Sequence, residues 1–222
     1  EEYNVDITIK GVGKLGIAHL EPAFWSIHGP VVKGEHATYA IRYSWEDNIK
    51  IIEQWYQMNK ATNFKEFNNA MSAMALPMFN TGYADKEGNI FYLYNAKLPY
   101  RKNNYNWLTV VPGNTSNTLW GNFLDYNMLP KVLNPESGYI QNCNNGPIYT
   151  IKNYDSMVDS NEYIGIETTN TNRSMRSIDL FNSYDLISYA DFKKIKFDLK
   201  YSDSSNIAHL VNRTLDLIKN KK

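Results

Sequence analysis

Residues 129–147 read LPKVLNPESGYIQNCNNGP. Pro135 and Gly138 fall where a tight turn wants a fixed φ and then a permissive one. Tyr139, Ile140 and Gln141 then open a short run of strand-forming residues, which predicts that Asn144 emerges where a strand ends. A side-chain amide held at a rigid strand end can aim its N–H at a fixed place, as stabilising a developing oxyanion requires. The same letters also fit a plainer arrangement, in which Asn144 and Asn145 are turn residues ahead of Gly146 and Pro147.

Working outward, residues 97–126 are rich in Asn, Gly and Pro with isolated aromatics and no sustained period, which predicts a long loop of a kind that is uncommon and often functional. Before it, residues 78–96 predict a hairpin turning at Asp85-Lys86-Glu87-Gly88, with Gly88 at positive φ. Asp85 reads as a turn opener that bonds its own backbone rather than as an acid catalyst. Two helices precede the hairpin. Residues 48–58 carry Ile51, Ile52, Trp55 and Met58 at helical spacing, and Asn63 with Glu66 forms a capping box ahead of Phe64, Phe67, Met71 and Met74. Such stripes read as core, although Met and aromatic side chains also suit an acyl-chain pocket.

The first third reads as β structure, with Val5, Ile7 and Ile9 alternating and then Tyr39, Ile41 and Tyr43. Gly11, Gly13 and Gly16 spell G-x-G-x-x-G, but no helical run opens on them, so a glycine-rich hairpin turn is expected and not a nucleotide site. Downstream, helices are predicted over 172–181, 189–199 and 202–219. The last carries a stripe of Ile207, Leu210, Val211, Leu215 and Ile218 that must dock onto something.

At 222 residues and 43% hydrophobic composition the chain can bury a core. Strands followed by helices predict an α+β fold in one piece over residues 1–222. Lys plus Arg equals Asp plus Glu at 23 each, which argues against nucleic acid or an anionic membrane as partner. No apolar run approaches a membrane span. Cys143 stands alone, which excludes an internal disulfide and any multi-cysteine zinc site, and His19, His28, His36 and His209 lack metal-ligand spacing.

One resemblance runs through most of the chain. Phe24-Trp25-Ser26-Ile27-His28-Gly29-Pro30-Val31-Val32, Leu76-Pro77-Met78-Phe79-Asn80-Thr81-Gly82-Tyr83-Ala84-Asp85, Gly88-Asn89-Ile90, Val111-Pro112-Gly113, Leu119-Trp120-Gly121, the Asn pair, Arg173-Ser174-Met175-Arg176-Ser177-Ile178 and Ala190-Asp191-Phe192 follow one another in the order of the penicillin acylase family of N-terminal-nucleophile hydrolases. That family also includes acyl-homoserine-lactone and lipopeptide acylases, and the wording from Pro77 to Pro147 is closer to these than to the penicillin enzymes.

The resemblance implies a partial αββα sandwich and an amidohydrolase that removes an acyl chain from a lactone, lipopeptide or β-lactam nucleus. It implies Asn144 as oxyanion-hole donor, Phe79 and Trp55 as acyl-group contacts, and an arginine, Arg173 or Arg176, that orients the substrate and the catalytic Asn. A solvated helix face is the alternative for the two arginines. Family enzymes attack with a serine at the start of the mature large chain, using its own α-amine as base. Position 1 here is Glu, so the chain is expected to be a piece of a large chain, inactive alone, whose partners are the rest of that chain and the small chain. The substrate is a small acyl amide, and periplasmic or secreted localisation is implied by the family alone. No cofactor is expected. Asp155 falls where some relatives ligate a structural calcium, which the complete protein could hold, but no ion is predicted on these residues. A non-catalytic domain that binds peptide or glycan on the same fold is the second expectation.

Overall fold

The computed structural model describes residues 2–7, 19–44, 49–76, 78–95, 97–102, 104–151 and 165–220. Glu2–Ile7 (β1), His19–Ser26 (β2), Gly29–Lys33 (β3) and Thr38–Ala40 (β4) form a four-stranded antiparallel meander in sequence order. The β2–β3 turn is stitched by Ser26, whose Oγ accepts from the His28 N–H at 3.1 Å and donates to the Gly29 carbonyl at 3.2 Å. His28 is buried, and because a carbonyl can only accept, its Nε2 donates to Gly113 O at 3.1 Å. The His28-Gly29-Pro30 and Val111-Pro112-Gly113 motifs therefore meet in space.

Phe79–Ala84 (β5), Ile90–Asn95 (β6) and Lys131–Leu133 (β7) make a second, three-stranded antiparallel sheet. Its hairpin turns as the sequence predicts. Gly88 takes φ +90°, and the Asp85 carboxylate accepts from Asn89 N at 2.9 Å, from Asn89 Nδ2 at 2.8 Å and from the Tyr83 hydroxyl at 2.9 Å. These bonds, those to Asn89 foremost, hold the Asp85 carboxyl below its usual range, so it is a structural anion of the turn.

One face of this sheet is covered by Phe64–Met71 (α2), and strand alternation presents Tyr83, Phe91 and Leu93 toward it. Phe67 and Tyr83 lie 4.6 Å apart between ring centroids and Phe64 and Phe91 5.0 Å, while Met71, Leu98, Leu124 and Leu129 complete the core. Each such buried side chain contributes about 1.5–3 kcal/mol of transfer free energy. The cap of α2 is shared. Asn63 Oδ1 accepts from Glu66 N at 3.0 Å, and Glu66 reaches back to the N–H of Thr62 at 2.8 Å, one residue earlier than a standard capping box.

Ile51–Lys60 (α1) differs from expectation. Its apolar stripe divides: Met58 packs against the core, whereas Ile52 is 78% exposed and Trp55 46%, and Gln54 is the helix's buried residue. The predicted start at Asn48, the glycine-rich turn at 11–16 and Asp155 lie outside the described residues.

The described residues of 97–126 are irregular apart from a 3-10 turn at Ser116–Thr118, much as predicted, yet the loop closes on itself. Pro99 bridges Phe123, Tyr100 N donates to Asn122 O and Leu124 N to Leu98 O, each at 2.8 Å, and the Arg101 guanidinium lies over the rings of Trp120 and Trp107 at 5.0 and 5.6 Å. The chain ends in Asn172–Asn182 (α3), Tyr189–Lys196 (α4) and Asn206–Lys219 (α5). Thr171, Ser188 and Ser205 cap them, each side chain accepting the N–H three residues on. The α5 stripe stays uncovered, with Leu210 64% and Ile218 55% exposed. Helices and antiparallel sheets in this order make an α+β fold.

Candidate active site

The turn at Pro135–Gly138 forms as expected, closed by Gly138 N to Pro135 O at 2.9 Å with Gly138 at φ +68°. The strand expected after it does not. β7 lies before the turn, and residues 139–141 join no ladder. The physical reason is local competition by side-chain amides. Asn142 Oδ1 accepts the N–H of Asn144 at 2.9 Å, Asn145 Oδ1 accepts the N–H of Cys143 at 2.8 Å, and Gln141 N is used by Thr150 O at 2.8 Å. Asn144 thus sits in a turn at φ +62°, a left-handed conformation that Asn tolerates better than other non-glycine residues.

The two asparagines divide their work. Asn145 is 2% exposed and spends its side chain on the loop, accepting from Cys143 and donating Nδ2 to Gly146 O at 2.8 Å. Asn144 is exposed. Its Oδ1 accepts from Arg173 Nη2 at 2.7 Å, and its Nδ2 donates to no partner among the described residues. A guanidinium on the oxygen of an amide withdraws electron density and makes the opposite N–H a better donor.

α3 is locked against this loop by groups the sequence analysis overlooked. Gln141 Nε2 donates to Ser174 Oγ at 3.0 Å and to the Tyr149 carbonyl, and both Gln141 and Ser174 are buried. Tyr139 stacks on Phe181 at 4.7 Å and donates to Asn182 Oδ1 at 3.2 Å. Since Ser174 follows Arg173 directly, its bond to Gln141 sets the start of α3 against the Asn144 turn. The legible signal was Thr171, a cap three residues ahead of Ser174.

Arg176 faces elsewhere. Its Nε and Nη2 grip the two carboxylate oxygens of Asp198 at 2.8 and 2.9 Å, tying α3 to the chain after α4. The Arg176 hydrogen bonds, with help from Lys200 N, pull the Asp198 carboxyl down to about 2.

Phe79 and Trp55 are 50% and 46% exposed, and neither makes a hydrogen bond or ring contact with Asn144 or Arg173 among the described residues. Phe79 begins β5 on the register that carries Tyr83. The opposite register carries Gly82, where a Cβ would lie 3.4 Å from Ile140 Cδ1, so the segment leading into Asn144 covers the other face of that sheet. Among the described residues no group of three or more His, Cys, Asp or Glu side chains is placed to hold a metal ion, and no helix is long and apolar enough to cross a membrane.

The antiparallel α+β scaffold thus presents an asparagine amide at its surface, with a guanidinium bracing the amide oxygen. Comparison with known proteins gives the class. The family model for penicillin amidase matches residues 1–221, and the chain belongs to that family. It is 33% identical over 145 residues to penicillin G acylase of Escherichia coli, covering 64% of this chain and 16% of that protein. It is 26% identical over 105 residues to the acyl-homoserine lactone acylase PvdQ of Pseudomonas putida, covering 43% of this chain and 14% of that protein. Among solved structures, a thermostable penicillin G acylase from Alcaligenes faecalis superposes with a TM-score of 0.69 at 26% identity, over 87% of this chain and 34% of that one. The higher of the two curated identities is to a penicillin enzyme, so the wording of residues 77–147 does not rank the substrates. The chain spans about one sixth of the length of the curated relatives it matches.

Proposed function

We propose that the protein carrying this chain hydrolyses an acyl amide by N-terminal serine catalysis, with the nucleophile supplied from outside these 222 residues. The serine Oγ adds to the amide carbonyl carbon as its proton passes to the serine's own α-amine, and the C=O electron pair moves onto oxygen. That oxyanion accepts the Asn144 Nδ2–H. Collapse expels the amine, protonated from the α-ammonium, and water later cleaves the acyl-serine ester. Arg173 holds Asn144 in the donating orientation, and Phe79 and Trp55 contact the acyl group. One observation carries this reading: the exposed Asn144 amide is held through its oxygen at 2.7 Å from Arg173, and among the described residues its N–H donates to no partner.

On this reading the 222-residue chain is inactive alone. The rest of the large chain and the small chain are its partners, and the uncovered α5 stripe is part of the surface they cover. Acyl-lactone, lipopeptide and β-lactam amides are the candidate substrates, in the periplasm or outside the cell, and a structural calcium belongs to the complete protein if to any part. The first test is the N-terminal sequence and intact mass of the mature large chain from the native source. A serine-initiated chain supports the reading. An unprocessed chain overturns it in favour of a peptide- or glycan-binding domain on an acylase fold.

A further inference from the structure

Gln54 is the buried residue of α1, at 2% exposure. Its Oε1 accepts the backbone N–H of Ala75 at 2.6 Å and of Leu76 at 2.9 Å, while Nε2 lies 3.5 Å from Met71 O. Only the oxygen of a glutamine amide accepts, so two converging N–H groups dictate which way it faces. Ala75 and Leu76 are 2% and 1% exposed and lie beyond the end of α2, so their N–H groups are buried and must be satisfied within the protein. On both sides the chain bends through the left-handed region, with Met74 at φ +49° and Met78 at φ +43°. Non-glycine residues hold that conformation only where their surroundings over-determine it. The next residue is Phe79, half exposed at the start of β5.

We propose that Gln54 is a positioning residue for acyl-chain selectivity: its amide oxygen holds Ala75 and Leu76, just after the left-handed Met74, and so sets where the chain enters Met78 and Phe79 stands. This rests on Phe79 contacting the acyl group, as stated under Proposed function. The acceptor oxygen is what matters, and that separates the role from core filling. Methionine fills the same volume but removes the oxygen to which both N–H groups donate, whereas glutamate, held neutral by this depth of burial, keeps that oxygen and an O–H donor toward Met71 O. Core filling ranks Gln54→Met above Gln54→Glu, and the clamp reverses the order.

The experiment compares the full-length wild type with Gln54→Met, Gln54→Glu and Phe79→Ala. It reads amide hydrogen exchange at Ala75 and Leu76 and the ratio of kcat/KM for an arylacetyl and an octanoyl anilide. Gln54→Met is expected to lose about tenfold or more of the exchange protection at both amides. Its substrate ratio is expected to move in the direction of Phe79→Ala, through KM more than kcat, while Gln54→Glu keeps wild-type protection and ratio. Unchanged protection in Gln54→Met overturns the clamp. An unchanged ratio in Gln54→Met beside a shifted one in Phe79→Ala overturns the selectivity role and leaves the Phe79 reading standing. An unchanged ratio in Phe79→Ala overturns the Phe79 reading, and the selectivity role of Gln54 with it. If Gln54→Met does not fold, Gln54→Glu decides: retained protection and ratio support the clamp, and their loss overturns it.

Discussion

Arg173 Nη2 donates to Asn144 Oδ1 at 2.7 Å across 29 residues of sequence, joining the first turn of α3 to an asparagine at φ +62°. The contact engages the acceptor of the amide, while its donor has no partner among the described residues. It also separates the two arginines of the Arg173-Ser174-Met175-Arg176 motif, since Arg176 is committed to Asp198.

Replacing the donor without disturbing the turn isolates its chemistry. In the full-length protein, Asn144→Asp keeps an oxygen for Arg173 and a residue type that tolerates the left-handed region, so its Tm is expected within a few degrees of wild type. Its kcat is expected to fall by roughly two to three orders of magnitude, as loss of one oxyanion donor does elsewhere. Asn144→Ala loses a similar factor. Near-normal turnover in both, measured under substrate saturation, ends the role of Asn144.

Arg173→Met and Arg176→Met are expected to fail differently. Arg173 is exposed, so its loss changes stability by less than about 0.5 kcal/mol while kcat drops on the order of tenfold or more as Asn144 loses its brace. Arg176 and Asp198 are partly buried, with side-chain exposures of 25% and 16%. Breaking their paired hydrogen bonds is expected to cost about 1 kcal/mol of stability after solvent screening, with kcat nearly unchanged. Urea unfolding and steady-state kinetics on the two variants check the division, and the reverse pattern would reassign the arginines.

The Asp198 pair also makes stability depend on acid. The folded carboxyl titrates at about 2, below the ordinary value of about 3.9 that it regains on unfolding. The unfolded chain therefore takes up a proton first as pH falls. The stabilisation is present in full above about pH 5 and is lost progressively as pH drops through about 4 toward about 2. Tm measured against pH should fall more steeply in wild type than in Asp198→Asn across that window, with the two curves converging near its acid end. Parallel curves would show that the pair carries no such linkage.

Gly146 is a test of close approach. A Cβ there would overlap the backbone carbonyl oxygen of Glu167, and a backbone atom cannot swing aside as a long side chain can. Gly146→Ala is expected to destabilise by about 1–3 kcal/mol and to lower kcat together with Tm, because the displaced loop carries Asn144 and Asn145. A variant of unchanged Tm and activity would mean that the 142–147 loop yields freely.

Much of this was readable from residue order. Gly88 and Gly138 took the positive φ that their turns demanded, Asn63 capped α2, and the Phe64, Phe67 and Met71 stripe became core. These are decisions within a few residues, where sterics and local hydrogen bonds dominate. The strand expected after Gly138 failed for a reason also local but harder to weigh, namely two side-chain amides, of Asn142 and Asn145, and the Thr150 carbonyl taking backbone donors that a ladder would have used. The α1 stripe split, with Met58 against the core and Ile52 and Trp55 outside it, because a 3.6-residue period records which side chains share a face and says nothing of what stands opposite.

The α+β class and the family were therefore legible in the sequence, which also put Asn144 forward as a candidate, since pattern, capping and motif order are properties of the chain itself. Which arginine braces Asn144, which asparagine is spent on the loop, and that a glutamine on α1 closes the bend before Phe79 were decided only in three dimensions. The first and the last depend on groups 29 and 21 residues apart meeting within 3 Å, while Asn145 bonds its own neighbours Cys143 and Gly146 only once the loop has closed around it. The choice among partners so close is made by packing and by the requirement that buried N–H groups be satisfied, and neither can be evaluated before the chain is folded.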